Sequence, residues 1–156
     1  MTTHQTTSLC EGTITIEVLG NPKGQPRPRA AMRGKHARVY DDRKHPVYTW
    51  RQMIALAAQP LRPAQPIDGP VRVDYTLYFA RPASHFNRKG LKPTAPHWYT
   101  SKPDRDNADK AILDVLTELG FWHDDAQVCA GEIKKVYATG RLPGAVIQVQ
   151  AIGGGQ

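Results

Sequence analysis

Between Lys102 and Val128 the chain reads KPDRDNADKAILDVLTELGFWHDDAQV, so Asp104, Asp106, Asp124 and Asp125 flank a single helical pattern that also carries Lys110. Carboxylate oxygens at this density suit a hard divalent cation such as magnesium, and a cation so held can activate water against a phosphodiester. Asp104 and Asp106 are two residues apart, and extended backbone would send both side chains in one direction. Lys110 follows Asp106 by one helical turn, opposite the apolar stripe, where its ammonium can reach a phosphate held over the two carboxylates. Gly120 stops the helix, and the expectation is that the chain then reverses and returns a third carboxylate, from Asp124 or Asp125, to the cluster. Each aspartate alone has a plainer use, Asp104 or Asp106 as a helix N-cap and Asp124 or Asp125 as turn residues. Together they are harder to explain that way, because one helix needs one cap and four packed aspartates repel unless a cation offsets them.

A second grouping competes for the same chemistry. Pro103-Asp104 followed by Glu132-Ile133-Lys134 satisfies the loose PD...(D/E)xK arrangement of restriction-type nucleases, which act on ordinary duplex. In a strand Glu132 and Lys134 share a face, so the grouping is geometrically open, as is a merely solvated strand face. A third alternative has no catalysis at all: a basic DNA-binding module whose aspartates only cap a helix.

The acidic cluster sits in a basic chain. Lys plus Arg number 21 against 14 for Asp plus Glu, a net charge of +7 with a pI near 9.6, the electrostatic footprint of a polyanion-binding protein. At 156 residues the chain holds one domain with a real core. It has no apolar run approaching the roughly 18 residues that span a bilayer and no secretory signal pattern, so a cytoplasmic protein without membrane contact is expected. Cys10 and Cys129 are its only cysteines, and its histidines show no HxxxH spacing. Structural zinc and a disulfide framework are not expected.

The elements that must position the aspartates follow from periodicity. Residues 1–12 read as a flexible polar extension, 13–152 as the domain and 153–156 as a flexible tail. Thr13 to Leu19 alternates as a strand. Lys23 to Arg51 is a proline-stiffened basic loop whose Lys23, Arg27, Arg29, Arg33, Lys35 and Arg38 are assigned to phosphate contact. His45 to Ala58 is a helix with Trp50, Met53, Ile54 and Ala57 on one face, and Pro70 to Phe79 a second strand. A long loop, Ala80 to Ser101, leads into the aspartates. Asn107 to Leu119 is a helix with Ala108, Ile112, Val115, Leu116 and Leu119 on one side. Gln127 to Tyr137 and Ala145 to Ile152 read as a hairpin around Gly140, Pro143 and Gly144. The order β, α, β, α, β, β, with about four strands and two main helices, describes a mixed α/β (α+β) domain.

Asp104-x-Asp106-Asn107, Lys110 and Gly120-Phe121-Trp122-x-Asp124-Asp125-Ala126-Gln127-Val128 closely resemble the active-site region of the RusA family of Holliday junction resolvases, commonly encoded by bacteria and prophages. The likeness runs without a gap from Asp104 to Val128, and Gly24-Gln25-Pro26-Arg27-Pro28-Arg29 resembles the family's Gly/Pro/Arg segment more weakly. The resemblance implies that Asp104, Asp106 and Asp125 bind metal and are catalytic, that Lys110 is the catalytic lysine, and that Asp124 is a further acid near the metal. It also implies a magnesium cofactor, with manganese as a substitute, and a homodimer that cuts paired strands of a four-way DNA junction. Trp98, Tyr99 and Phe121 are candidates for stacking on bases unpaired at the crossover. The longer Asp41 to Ala58 and Ala80 to Ser101 segments depart from the shortest family members and leave sequence preference open.

Overall fold

A computed structural model describes residues 12–25, 29–33, 36–40 and 46–153, so the expected flexible extension and tail fall almost wholly outside it. The elements in chain order are β1 (Ile14–Leu19), β2 (Arg29–Arg33), β3 (His36–Tyr40), α1 (Pro46–Ala58), β4 (Val71–Phe79), β5 (Phe86–Asn87), β6 (Gly90–Leu91), α2 (Arg105–Glu118), β7 (Val128–Ala130), β8 (Ile133–Tyr137) and β9 (Gly144–Ala151). They make a mixed sheet of order β1-β9-β4, with β7 and β8 on the other edge of β4. The result is the α+β domain that the alternation of patterns predicts.

β4 is the axis of the fold because its two parities do different work. Val71, Val73, Tyr75, Leu77 and Phe79 are buried, and the residues between them are half-exposed on the open side. Such alternation commits one face to a core and the other to water. Ile16 and Val18 of β1 and Ala145, Ile147 and Val149 of β9 extend the buried face. Both helices cover it: α1 contributes Val47, Trp50, Ile54 and Ala58, and α2 contributes Ala108, Ala111, Ile112, Val115 and Leu116. Met53, Ala57 and Leu119 pack at the margin of this core. Arg51 ties the two helices together through Glu118 at 2.7 Å.

Three departures from the sequence pattern have physical causes. The expected hairpin between 127–137 and 145–152 does not form: β9 pairs antiparallel with β1 and β4, whereas β8 pairs parallel with the opposite edge of β4. A hydrogen-bonded central strand thus separates two segments that a turn seemed to join. Residues 127–137 are also divided, because Gly131 (φ +147°) passes so close to Val73 that a Cβ would lie 1.8 Å from its carbonyl oxygen. Finally, the basic segment expected as loop contains the antiparallel pair β2–β3, in register from Arg29 opposite Tyr40 to Arg33 opposite His36. No helix among the described residues is long and apolar enough to cross a membrane.

Candidate active site

Asp104 stands at the N-terminus of α2, where its carbonyl accepts from Ala108 N at 3.0 Å. Its side chain makes no capping hydrogen bond, so the helix end does not use this carboxylate. Asp106 lies exposed in the first turn. Lys110 is also exposed and leans along the helix to Asp114, with Nζ 3.3 Å from Oδ1. An exposed pair at this spacing is worth only about 0.3–0.5 kcal/mol, so a phosphate can draw the ammonium away.

The surroundings fix this helix end firmly. Gln25 N donates to the Asn107 carbonyl at 2.9 Å, and Gly24 packs so closely that a Cβ there would meet Pro103 Cβ at 2.7 Å and Asn107 Cβ at 2.9 Å. The segment that carries the first arginines is thereby seated against the aspartate-bearing turn. On the other side Tyr99 stacks on Phe79 with ring centroids 3.7 Å apart, and its hydroxyl donates to the Lys102 carbonyl at 2.7 Å. Lys135 Nζ donates to the Ser101 carbonyl at 2.7 Å. Further along α2, the Tyr75 hydroxyl donates to Asp109 across the core. Burial, and then this bond, raise the phenol's pKa far above its ordinary value, so the hydroxyl stays a donor.

Gly24→Ala tests the packing. Neither Pro103 nor Asn107 Cβ can swing aside, so the methyl should force the Gly24-Gln25 segment off α2 at a cost of about 1–3 kcal/mol. Urea unfolding should show the loss.

The second acidic pair follows α2. Phe121 and Trp122 are buried, and Trp122 Nε1 donates to Thr117 Oγ1 at 2.8 Å. A 3-10 turn over Asp125–Gln127 comes next, capped by Asp124, whose Oδ1 accepts from Ala126 N at 2.8 Å. That bond, supplemented by a hydrogen bond with the Asp125 carboxyl, holds the Asp124 pKa below the usual carboxylate value. Asp124 thus caps the turn through Oδ1, and Asp125 stands exposed beside it. The turn is locked by one side chain. Gln127 Oε1 accepts from His123 N at 2.8 Å and Asp124 N at 3.0 Å, and Nε2 donates to the Ile67 carbonyl at 2.8 Å and the Gly69 carbonyl at 2.9 Å. His123 Nε2 adds a 2.7 Å contact with Asp68. Sequence reasoning passed over Gln127, although Asp-x-x-Gln is the spacing of a capping box.

The two acidic pairs do not meet within one chain. β1 and β4 are both antiparallel to β9 and so run in the same direction. The Asp104 end of α2 touches the segment after β1 and the carboxyl end of β4, while Gln127 binds residues just before β4 begins. The 14 residues of α2 intervene, a length of about 21 Å at 1.5 Å per residue. Gly120 ends the helix without returning Asp124 or Asp125 to Asp104, contrary to the expectation from the turn. Among the described residues no three His, Cys, Asp or Glu side chains stand close enough to hold a metal ion. Within a single chain the donors suit a hard cation in kind and not in place.

The rival grouping is not assembled either. Glu132 and Lys134 pair with each other at 3.7 Å on the open face of the sheet, where they line a hollow of about 240 Å³ with Asp74, Thr76, Tyr78 and Gln148. Lys134 is in register with Thr76, whereas Lys135, in register with Leu77, is on the helix side and holds the segment before Asp104. Asp74, whose pKa Arg72 lowers through its hydrogen bond, accepts from Glu132 N at 2.8 Å and fixes the start of β8 on that face. The sheet thus separates Glu132 and Lys134 from Asp104. Of the proposed stacking aromatics, Phe121 belongs to the core, Tyr99 is engaged with Phe79, and Trp98 is 58% exposed.

Of the cations assigned to phosphate, Lys23 is exposed beside the Gly24 contact. Arg29, Arg33 and Arg38 lie on the β2–β3 hairpin, while Arg27 and Lys35 fall outside the described residues.

Comparison with known proteins agrees with the likeness of residues 104–128 and extends it. The family described as Endodeoxyribonuclease RusA matches residues 20–150. YqaN of Bacillus subtilis (strain 168), described as uncharacterized, is 35% identical over 128 residues, which is 80% of this chain and 88% of that protein. The crossover junction endodeoxyribonuclease rusA of Lactococcus phage r1t is 46% identical over 39 residues, covering 25% of this chain and 30% of the phage protein. With the family pattern matched over residues 20–150, across both helices and all of the central sheet but β1 and the last residue of β9, the chain belongs to the RusA family of endodeoxyribonucleases.

Proposed function

We propose that this enzyme is a magnesium-dependent, structure-selective endonuclease that resolves four-way DNA junctions by paired symmetric nicks. It acts in the cytoplasm on recombination or repair intermediates, as a homodimer whose active sites each draw carboxylates from both protomers. One observation carries the composite site: Asp104 and Asp106 stand at one end of α2 and Asp125 beyond the other, in a chain whose family cuts DNA. A two-fold dimer that sets one protomer's α2 N-terminus against the partner's Asp125 completes two identical sites at once. A four-way junction has approximate two-fold symmetry and needs a nick in each of two opposed strands, so the two symmetries agree.

In this reading Asp104, Asp106 and the partner's Asp125 would hold the cation, which supplies positive charge to a bound water and to the departing oxygen. The chain's own groups do the rest. Lys110, released from Asp114, binds a phosphate oxygen and stabilises the charge that builds there. Asp124 and Gln127 keep the Asp125 turn in one shape, and the Gly24-Gln25 seat delivers the arginines of the basic segment beside the scissile strand.

The test is cleavage of an end-labelled four-way junction and its linear duplex control, each with magnesium or with EDTA. Paired nicks on the junction alone, abolished by EDTA, are expected. Equal cutting of linear duplex would overturn the structure-selective reading, and tight binding without cutting in magnesium would overturn the catalytic one.

A further inference from the structure

Most of the segment between β4 and Asp104 has no part in the chemistry above, yet it is built as a mounted arm. From Ala80 to Ser101 it contains Arg81, Arg88, Lys89 and Lys92 and no Asp or Glu. β5 and β6 form a small hairpin with Phe86 opposite Leu91 and Asn87 opposite Gly90, leaving Arg88 and Lys89 at the tip. The turn is fixed by Lys89 N donating to Asn87 Oδ1 at 2.9 Å, and Gly90 (φ +112°) adopts backbone that other residues avoid.

The base of the hairpin is fastened at several points. Lys92 N donates to the His85 carbonyl at 2.9 Å, and Lys92 Nζ to the Ser84 carbonyl at 2.7 Å. Arg81 donates to the Pro96 carbonyl at 2.8 Å and to Thr139 Oγ1 at 2.9 Å, with its guanidinium over the Tyr137 ring. His85 meets the same ring edge-on at 4.8 Å. Residues 97–99 then run beside β8 as an extra edge, through Tyr137 N to the His97 carbonyl and Tyr99 N to the Lys135 carbonyl. So Arg81 and Lys92 are consumed in the mount, whereas Arg88 and Lys89 are exposed with no acidic partner among the described residues. Phe86 and Leu91, side by side below them, are 47% and 40% exposed.

A stiffly held tip bearing two uncompensated cations above an apolar pair has a definite complement: a phosphate backbone with sugar edges beneath it. The arm springs from the carboxyl ends of β4 and β8, the end of the sheet at which Asp104 and Asp106 stand. We infer that the β5–β6 hairpin is a second DNA-contacting arm, which grips the backbone of a duplex arm of the substrate next to the cleavage site through Arg88 and Lys89, with Phe86 and Leu91 against the sugars. The inference rests on the DNA-cutting reading of the Asp104 end and assigns it an additional surface.

The test is binding of a labelled four-way junction in EDTA over a salt series, where no cutting occurs and the catalytic assignment is not at issue. For Arg88→Gln/Lys89→Gln the slope of log affinity against log salt should become shallower by about 1.8, two phosphates at about 0.9 each. Arg88→Lys should keep the wild-type slope, and thermal melting of the double variant should match wild type because neither side chain supports the mount. Rates at saturating junction in magnesium should be unchanged. A wild-type slope and affinity in the double variant would overturn the proposal, as would an equal loss in Arg88→Lys, which would make the effect one of shape and not of charge.

Discussion

Asp104→Asn and Asp125→Asn will each abolish cleavage, and an equimolar mixture of the two inactive proteins, allowed to exchange subunits, will cut again. The loss in each single variant should be at least about a thousandfold, or about 4 kcal/mol of transition-state stabilisation. Junction binding should survive in both, because removing negative charge does not weaken affinity for a polyanion. Recovery follows from the placement of the two acidic pairs at opposite ends of α2. In a mixed dimer with composite sites, one site receives both substitutions and the other neither. Random exchange makes half of the dimers mixed, so about a quarter of the wild-type sites should be active. Those sites nick one strand only, and the product should be singly nicked junction in place of resolved duplexes. If each site were built from one chain, every site in the mixture would carry a substitution and no activity would return. The nick assay on a labelled junction separates the two outcomes.

The same placement shows where sequence reasoning reaches and where it stops. Both helices were legible because their apolar residues recur at helical spacing, and Val115 and Leu116 are buried as the periodicity requires. β1, β4 and β9 were legible because alternation is a local property. Pairing is not local. The turn at Gly140 and Gly144 suggested a hairpin, but β4, nine residues with both edges bonded, takes the position between β8 and β9. The β2–β3 pair was hidden because arginines and prolines carry the signature of solvated loop whatever the backbone does. Residue types at the site were readable for the same reason that β1 was: Asp104-x-Asp106 and Asp124-Asp125 are local patterns. Their separation was not, since a glycine after a helix permits a reversal without setting its direction, and here buried Phe121 and Trp122 carry the chain away from the helix start. Parity settled Glu132 and Lys134 only once the register with Tyr75 and Thr76 was known.

Gln127→Ala should weaken the enzyme by about 10–100-fold, although Gln127 carries no charge and touches no substrate in the proposed reaction. Its amide makes four hydrogen bonds, two accepted from the Asp125 turn and two donated to the strand-entry carbonyls of Ile67 and Gly69. Removing the side chain leaves four backbone groups to water, and partial exposure limits the stability cost to about 1–3 kcal/mol. The larger consequence is geometric. In the proposed composite site Asp125 has to be held in place to meet two carboxylates of the partner subunit, and loss of an orienting partner typically costs about 10–100-fold in metal affinity or activity. The magnesium concentration for half-maximal cleavage should therefore rise by about that factor, with junction affinity in EDTA unchanged. Gln127→Glu separates orientation from folding: its carboxylate still accepts from His123 and Asp124 but repels the Ile67 and Gly69 carbonyls, so the turn should detach from β4 while the cap survives. A magnesium requirement that stays at the wild-type value in both variants would mean that the turn holds Asp125 without its glutamine clip. A shifted requirement with a native melting profile in Gln127→Glu would make the clip a positioning device for Asp125 in the proposed composite site.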